Sequence, residues 1–188
     1  MASGSSNNES VCCECQGQRA VSPGPASRNG APAGETPLGL RLAGSEALNA
    51  LRIEKGFLHW GADMAYTEAP YQLGLDFICK PGKTLPFIGQ DACLARKANP
   101  KGPCLRSVRL ADPDAILHHN EPVLRDGQIM GFVTSGAFCA MQKAAVGLCR
   151  VSPPDGAGGC EAVDDGPCSV MVEGREVPAE LRRKPFGA

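Results

Sequence analysis

The stretch that decides the fold is PVLRDGQIMGFVT, residues 122–134. Apolar residues lie on both sides of Asp126-Gly127, and Asp-Gly between two such runs is a strong short-range signal for a β-hairpin. Both central residues of a two-residue hairpin turn need positive φ, which Asp and Gly tolerate. The stretch therefore predicts an antiparallel pair, residues 122–125 with residues 128–134.

Further short strands are predicted before and after this hairpin in the sequence. Residues 105–110 fit a first strand, and Glu173-Gly174 is a second turn signal. The remaining predicted strands are residues 144–151, 168–172 and 176–179. About six short strands joined by turn residues predict a small antiparallel barrel or sandwich. We expect the glycine-rich acidic stretch 153–166 to be a mobile loop on it.

Upstream of these strands the pattern changes to helices and extended segments. Ser45 is a candidate N-cap, and Gly56 is a candidate left-handed residue that ends the same helix. Residues 57–63 and 72–79 are predicted to be short strands or extended segments. A second short helix is predicted to begin at residue 89 or 91 and to end at residue 98, before a linker rich in Pro and Gly.

Glu54 is an acid in the last turn of the first predicted helix. At about 100° per residue it falls within an apolar arc. The other members of that arc are Ala47, Leu48, Ala50, Leu51 and Ile53. The helix dipole is negative at this end, so a buried carboxylate here needs hydrogen-bond donors or a positive charge. Two partners stay open: an arginine from elsewhere in the fold, or a flat heterocycle with two adjacent N–H donors, such as an aminopyrimidinone edge.

Size and charge exclude several classes of function. The chain has 188 residues, a formal net charge of −1 and a pI near 6.3, so it has no basic field for nucleic acid. It has no apolar run of membrane-spanning length, and residues 1–30 resemble neither a secretory signal nor a mitochondrial presequence. We expect no nucleic-acid or membrane partner. A cytoplasmic location is predicted, with the mitochondrial matrix as the alternative.

The chain contains ten cysteines. Seven stand singly and are predicted to be free thiols in a reducing compartment. These are Cys79, Cys93, Cys104, Cys139, Cys149, Cys160 and Cys168. Cys12, Cys13 and Cys15 could begin a zinc or copper site, but no second pair at finger spacing and no nearby histidine complete a ligand set. We therefore assign no metal ligand.

Three other groups were candidates for chemistry, and none is assigned a catalytic role. Adjacent His118 and His119 would point to opposite faces of an extended segment, which favours a surface loop over a metal site. Residues 134–136, Thr-Ser-Gly, offer hydroxyls without a histidine base, and a turn that ends the barrel strand is favoured. His59 and Trp60 could line a ligand cleft or cap the core, and they are interpreted as packing residues.

Several motifs resemble the C-terminal part of the aminomethyltransferase family. This family comprises the T-protein of the glycine cleavage system and the folate-binding region of dimethylglycine and sarcosine dehydrogenases. The motifs are LRIEKG at 51–56, GFVTSG at 131–136 and HWGAD at 59–63. The HWGAD variant resembles the dehydrogenases more than the T-proteins. The resemblance implies an α+β fold: a disordered arm at 1–38, a partial folate-binding α+β core at 39–98, and a small antiparallel β-barrel at 104–188.

The resemblance also implies a function. In that family the glutamate of the first motif, here Glu54, holds the pterin of tetrahydrofolate, which accepts a one-carbon unit from an aminomethyl group. The family's catalytic aspartate lies in its amino-terminal half and has no counterpart in these residues. A GxGxxG motif between a strand and a helix, which an FAD site needs, is also missing. We therefore expect the chain to bind tetrahydrofolate but not FAD, and not to be active alone.

Three hypotheses follow from this reading. The first is a tetrahydrofolate-binding, one-carbon-transfer region that is a fragment or subunit of a larger enzyme. Its partner would be the polypeptide that supplies the FAD and N-terminal folate-domain segments. The second is a non-catalytic regulatory or protein-interaction module of the same family. The third is an inactive truncated product.

Overall fold

The computed structural model describes residues 43–80, 82, 85–98, 102–152, 160, 163 and 166–187. The predicted arm at 1–38, with Cys12, Cys13 and Cys15, lies outside the described residues, as does most of the predicted loop at 153–166. Leu48–Ala188 form one compact unit, and of the unit Met1–Ala47 only residues 43–47 are described. No helix in the described ranges is both long and apolar enough to cross a membrane.

In the described part of the chain, six antiparallel strands close into a barrel. In chain order they are β1 Cys104–Leu110, β2 Pro122–Arg125, β3 Gln128–Cys139, β4 Ala144–Val151, β5 Gly166–Val172 and β6 Arg175–Arg182. Around the barrel the order is β1, β4, β3, β2, β5, β6, and β6 pairs with β1 to complete the ring. The sequence left a barrel and a sandwich open, and this closure identifies a barrel.

The two predicted tight turns are confirmed. Asp126 and Gly127 join β2 to β3 with φ of 51° and 73°, and Glu173 and Gly174 join β5 to β6 with φ of 49° and 75°. Positive φ at both central residues is the type I′ conformation, whose twist matches the twist of paired strands. The local turn chemistry therefore sets both hairpins.

Strand β3 extends further than predicted. It continues from Gln128 through the Thr-Ser-Gly stretch to Cys139, with a register shift between Val133 and Ser135. The prediction that residues 134–136 form a turn is therefore wrong. A Cβ at Gly136 would lie 2.4 Å from the carbonyl oxygen of Leu117, so glycine here allows a close backbone approach.

Among the described residues before the barrel there are two α-helices, α1 Ser45–Glu54 and α2 Gln90–Ala98. Gly56 ends α1 with φ of 70°, and its N–H donates to the carbonyl of Ile53. The N–H of Phe57 donates to the carbonyl of Arg52, which completes a Schellman cap. Both predicted helices are confirmed, and so is the role of Gly56, but Ser45 is the first residue of α1 and not the N-cap before it.

Residues 57–79 do not form the two predicted extended segments. The chain instead makes turns and a short 3-10 helix at Pro70–Leu73, and an isolated bridge joins Trp60 to Met64. Gly61 and Gly74 have φ of 89° and 72°, values that interrupt an extended strand. Side-chain bonds to the barrel, described below, hold this segment in place of strand pairing.

Strand β4 contributes to two apolar clusters. Cys149 and Val151 belong to the cluster that draws on all six strands and fills the barrel. Val146 and Leu148 belong to a second cluster together with Ile53 of α1. Successive side chains of a strand point to opposite faces, so β4 is buried on both faces. The end of α1 therefore packs against the outer wall of the barrel.

Cys104 and Cys160 form a disulfide, so the prediction that both are free thiols is wrong. Their Cα atoms lie 5.3 Å apart, although the residues are separated by 56 positions in the sequence. Spacing alone cannot reveal such a pair, because it depends on a distant segment returning to β1. The other five singly placed cysteines are free, as predicted: Cys79, Cys93, Cys139, Cys149 and Cys168.

Candidate functional site

Glu54 is the last residue of α1, and it is 8% exposed. Its Oε1 atom accepts a hydrogen bond from the thiol of Cys139, at the end of β3. No described residue donates a hydrogen bond to its Oε2 atom. The predicted burial of this acid is confirmed, and among the described residues its partner is a thiol and not an arginine.

Only the end of the apolar arc on α1 is buried. Ile53 is 2% exposed, whereas Leu48 and Leu51 are 40% and 56% exposed. The last turn lies against the second apolar cluster, whose buried members are Ile53, Cys139, Val146, Leu148 and Phe186. The burial of Glu54 therefore comes from the barrel and the segment after β6, and not from the rest of its own helix face.

A ring of hydrogen bonds passes through Glu54. The backbone N–H of Gln142 lies 3.3 Å from Sγ of Cys139, and Nε2 of Gln142 donates to the carbonyl of Phe186 at 2.9 Å. The N–H of Gly187 then donates to the backbone carbonyl of Glu54 at 3.0 Å. Both the carboxylate and the backbone of Glu54 are thus held by groups outside α1.

A second buried carboxylate, Asp63, also joins α1 to β3. Its Oδ2 atom accepts from a terminal nitrogen of Arg52 at 2.6 Å and from the backbone N–H of His59 at 2.8 Å. Its Oδ1 atom lies 2.6 Å from the hydroxyl of Thr134 and 2.7 Å from that of Ser135. Arg52 also donates to the Ser135 hydroxyl at 2.8 Å. The hydroxyls of β3 therefore serve as structural partners of an ion pair.

Three successive residues of the LRIEKG motif reach the barrel by different interactions. Arg52 reaches β3 through Ser135 and Asp63, Ile53 enters the outer cluster, and Glu54 meets Cys139. Polar bonds on both sides of a buried apolar side chain leave the last helical turn little freedom to rotate. The arrangement presents the Glu54 carboxylate in one orientation.

Sequence reasoning missed Arg52 and Asp63. The helical arc leaves Arg52 on the side opposite Glu54, and Asp63 closes the HWGAD motif without an assigned role. One sequence pattern could have predicted this pair: an arginine in the last helical turn, followed by an aspartate near a glycine turn. Two such opposite charges can neutralise each other when they are buried.

A third carboxylate, Glu68, links the upstream segment to β4. Its Oε1 atom lies 2.6 Å from a terminal nitrogen of Arg150, and its side chain is 3% exposed. Burial alone would raise the pKa of Glu68, but hydrogen bonds from Thr67 and the Ala65 N–H, with the charge of Arg150, outweigh it and lower the pKa. This ion pair lines a cavity of about 470 Å³ beside α2.

The thiol of Cys139 is held in its protonated form. Burial, followed by the hydrogen bond to Glu54 and the negative charge of Glu54, raises the pKa of this thiol. A thiol that keeps its proton at neutral pH can donate a hydrogen bond, whereas a thiolate cannot.

The other sequence candidates lie apart from these networks. His118 and His119 are exposed in the segment before β2, as predicted for a surface loop. Trp60 is 62% exposed, so its interpretation as a packing residue is wrong, and His59 contributes its backbone N–H to Asp63. Within the ranges that the structure describes, no three His, Cys, Asp or Glu side chains converge on a metal-sized site.

Comparison with protein families identifies two domains. The Glycine cleavage T-protein C-terminal barrel domain matches residues 104–187, the region that contains all six strands. The GCVT N-terminal domain matches residues 32–83, which include α1 and the segment that carries Asp63 and Glu68. Contacts between the upstream segment and the barrel were described above. Both residues of each of these contacts lie within the two matched ranges.

Relatives with a known function match most of this chain. The 4-methylaminobutanoate oxidase (formaldehyde-forming) of Paenarthrobacter nicotinovorans is 39% identical over 151 residues, which is 79% of this chain and 17% of that protein. Mitochondrial sarcosine dehydrogenase of Mus musculus is 31% identical over 79% of this chain and 16% of its own length. An aminomethyltransferase of Nitrosococcus oceani is 34% identical, over 79% and 37% respectively. The chain thus spans well under half the length of these relatives.

A solved structure supports the same fold. The glycine cleavage system aminomethyltransferase T from Bartonella henselae aligns with a TM-score of 0.62 over 74% of this chain and 38% of that chain, at 19% identity. Taken with the two domain matches and the relatives above, this shows that the chain belongs to the glycine cleavage T-protein (aminomethyltransferase) family, of which it carries the C-terminal barrel domain and part of the N-terminal domain.

Proposed function

We propose that this chain is the tetrahydrofolate-binding part of a one-carbon-transfer enzyme and that Glu54 binds the pterin. Members of this family bind tetrahydrofolate. The observation that carries the proposal is the carboxylate of Glu54, which is more than nine-tenths buried and receives one thiol donor at Oε1 from the described residues.

The chemistry of this carboxylate suits a pterin. The aminopyrimidinone edge carries two adjacent N–H groups, and a carboxylate can accept both in parallel bonds. A buried carboxylate with a single weak donor is costly, so a ligand that adds two donors relieves that cost. The Oε2 atom, to which no described residue donates, supplies the acceptor for the second bond.

The anchoring of α1 also supports a binding role. Arg52 and Ile53 fix the last helical turn against the barrel on either side of the backbone that carries Glu54. A carboxylate held in one orientation before the ligand arrives loses less conformational entropy on binding.

Turnover is proposed to require further polypeptide. The chain spans 17% of the oxidase relative and 37% of the aminomethyltransferase relative. We propose that the partner is the part of the family's N-terminal folate domain that lies outside the residues matched here. We expect FAD to bind to the family's flavin domain and not to this chain. Exposed large apolar side chains favour such a contact, and many lie between residues 48 and 94. They include Leu51, Phe57, Trp60, Tyr66, Phe77, Ile78, Leu85 and Ile88.

The proposal is tested by calorimetric titration of the 188-residue chain with 5-formyltetrahydrofolate, a stable reduced folate. Wild type should bind, and Glu54→Gln should weaken binding at least about tenfold, because a charged acceptor of two hydrogen bonds is lost. Glu46→Gln is a matched control, since Glu46 is exposed on the same helix. No binding by wild type, or equal affinity in wild type and Glu54→Gln, contradicts the proposal.

The same exposed apolar side chains favour a second candidate, a non-catalytic interaction module of the family. This candidate predicts no folate binding but a stable complex with the rest of the N-terminal domain, supplied as a separate polypeptide. An inactive truncated product would show neither. Measuring complex formation by analytical ultracentrifugation beside the folate titration separates the three outcomes.

A further inference from the structure

We propose that Cys139 is a positioning residue for the folate site: its thiol donates to Oε1 of Glu54 and turns the carboxylate so that both oxygens face the pterin edge. This inference rests on the proposed function of Glu54. It assigns a role in ligand binding to the barrel strand β3, which lies in the C-terminal domain and carries Cys139, 85 residues after Glu54 in sequence.

The geometry around the sulfur supports a directed donor. The backbone N–H of Gln142 lies 3.3 Å from Sγ and occupies an acceptor position, so the S–H bond is free to point at Glu54. Cys139 is 0% exposed and Glu54 is 8% exposed, which excludes most water from the contact. A hydrogen bond to a carboxylate is stronger in such surroundings than in water.

A thiol suits this task because it donates a proton without carrying a charge. An arginine or lysine here would neutralise Glu54 and compete with the ligand for both oxygens. The thiol satisfies one lone pair of Oε1 and leaves the second lone pair and the whole of Oε2 for a ligand. The raised pKa of Cys139 keeps the donor proton in place at neutral pH.

The ring of hydrogen bonds makes this contact rigid. Gln142 is tied through its side chain to the carbonyl of Phe186, and Gly187 is tied to the carbonyl of Glu54. A Cβ at Gly187 would lie 2.7 Å from that carbonyl oxygen, so glycine allows the C-terminal segment to close the ring. These bonds therefore tie the residues after β3 and the C-terminal segment to each other and to the end of α1.

Two substitutions of Cys139 test the inference by titration with 5-formyltetrahydrofolate. Cys139→Ala removes the donor and should weaken binding by roughly five- to tenfold, the net effect of one ordinary hydrogen bond, because a thiol is a weak donor. Cys139→Ser restores a donor and should bind within about twofold of wild type. Cys93→Ala is the matched control, because Cys93 lies half-buried on α2 and is not a member of this ring, so its loss should leave the affinity unchanged.

An infrared measurement covers the case in which a variant folds poorly. The difference spectrum between wild type and Cys139→Ser isolates the S–H stretching band of Cys139. We expect that band to move in Glu54→Gln and to move again when wild type binds 5-formyltetrahydrofolate, because both changes alter the charge that the thiol meets. A merely structural cysteine would not respond to the ligand.

The outcomes separate this inference from the proposed function. If Glu54→Gln loses affinity while Cys139→Ala binds as wild type does, the positioning role is wrong and the folate site stands. An S–H band whose frequency does not change in Glu54→Gln or on addition of the ligand would likewise exclude the positioning role and leave the folate site standing. If Glu54→Gln binds as wild type does, the folate proposal itself falls.

Discussion

The guanidinium of Arg52 and the carboxylate of Asp63 lie 2.6 Å apart, and the Asp63 side chain is completely buried. Thr134 and Ser135 complete the environment of Asp63 from β3. A buried carboxylate that meets a guanidinium, two hydroxyls and a backbone N–H has its charge compensated, but the loss of any charged partner leaves an uncompensated charge or unpaired donors. The bonds of this ion pair to Thr134 and Ser135 connect the segment matched to the N-terminal domain with the barrel matched to the C-terminal domain.

Asp63→Asn should lower the free energy of unfolding by about 3 kcal/mol, because it removes the charge that Arg52 meets while keeping the size of the side chain. Urea denaturation followed by circular dichroism measures the change. Asp114→Asn, at an exposed position before β2, is the control and should change stability by less than about 0.5 kcal/mol. Equal small effects of both substitutions would show that the Asp63 network does not hold the segment to the barrel.

Glu68 predicts a specific dependence of stability on pH. Its pKa in the folded protein lies below the ordinary value of 4.5, so the charged form is favoured by folding. The stabilisation it supplies is fully present above about pH 4.5 and is lost as pH falls through the lower folded pKa. Glu68→Gln should therefore be less stable than wild type at pH 7, by about 1–2 kcal/mol, with a difference that disappears in acid.

Thermal unfolding of wild type and Glu68→Gln between pH 7 and pH 3 checks this dependence. Glu46→Gln is exposed and should not alter the acid part of the curve. A stability difference between wild type and Glu68→Gln that is constant across this range would exclude a lowered pKa for Glu68.

Glu54→Gln should make the Cys139 thiol more reactive. The hydrogen bond to Glu54 and its charge both add to the effect of burial in raising the pKa of Cys139, so their loss lowers that pKa and increases the thiolate fraction at a given pH. Alkylation by iodoacetamide at pH 8.5, followed by peptide mass spectrometry, should show faster modification at Cys139. Cys149 is buried in the barrel and reports general loosening, so its alkylation rate should stay unchanged.

The disulfide between Cys104 and Cys160 should appear in non-reducing peptide maps of the purified protein. It joins residues separated by 56 positions, so reduction should lower the free energy of unfolding by roughly 4 kcal/mol in the chain-entropy description. Urea denaturation with and without a thiol reductant measures this difference. Cys168→Ser, which alters a free thiol, should leave the effect of the reductant unchanged. Two free thiols at positions 104 and 160 in protein purified without reductant would contradict the pairing.

The barrel was predictable from sequence because its signals are local. Asp126-Gly127 and Glu173-Gly174 set two hairpins through their own backbone preferences, and β4 matches its predicted range. Residues 57–79 were not predictable, because Asp63 and Glu68 hold them through bonds to side chains in β3 and β4. Local propensity carries no information about such distant partners.

The candidate site was also predictable only in part, where local sequence pattern was sufficient. The position of Glu54 within an apolar arc, in the last helical turn before a helix-ending glycine, was enough to predict a buried carboxylate in need of donors. Its partner Cys139 looked like one more small apolar cysteine, because the strand that carries it extends past its expected end. Long-range packing, and not local pattern, brings the two residues together.

The most direct test of the account is the ratio of dissociation constants for 5-formyltetrahydrofolate between Glu54→Gln and wild type, measured on the 188-residue chain with Glu46→Gln alongside. We expect a ratio of about ten or more for Glu54→Gln and a ratio near one for Glu46→Gln. A ratio near one for both variants would contradict the claim that Glu54 binds the pterin.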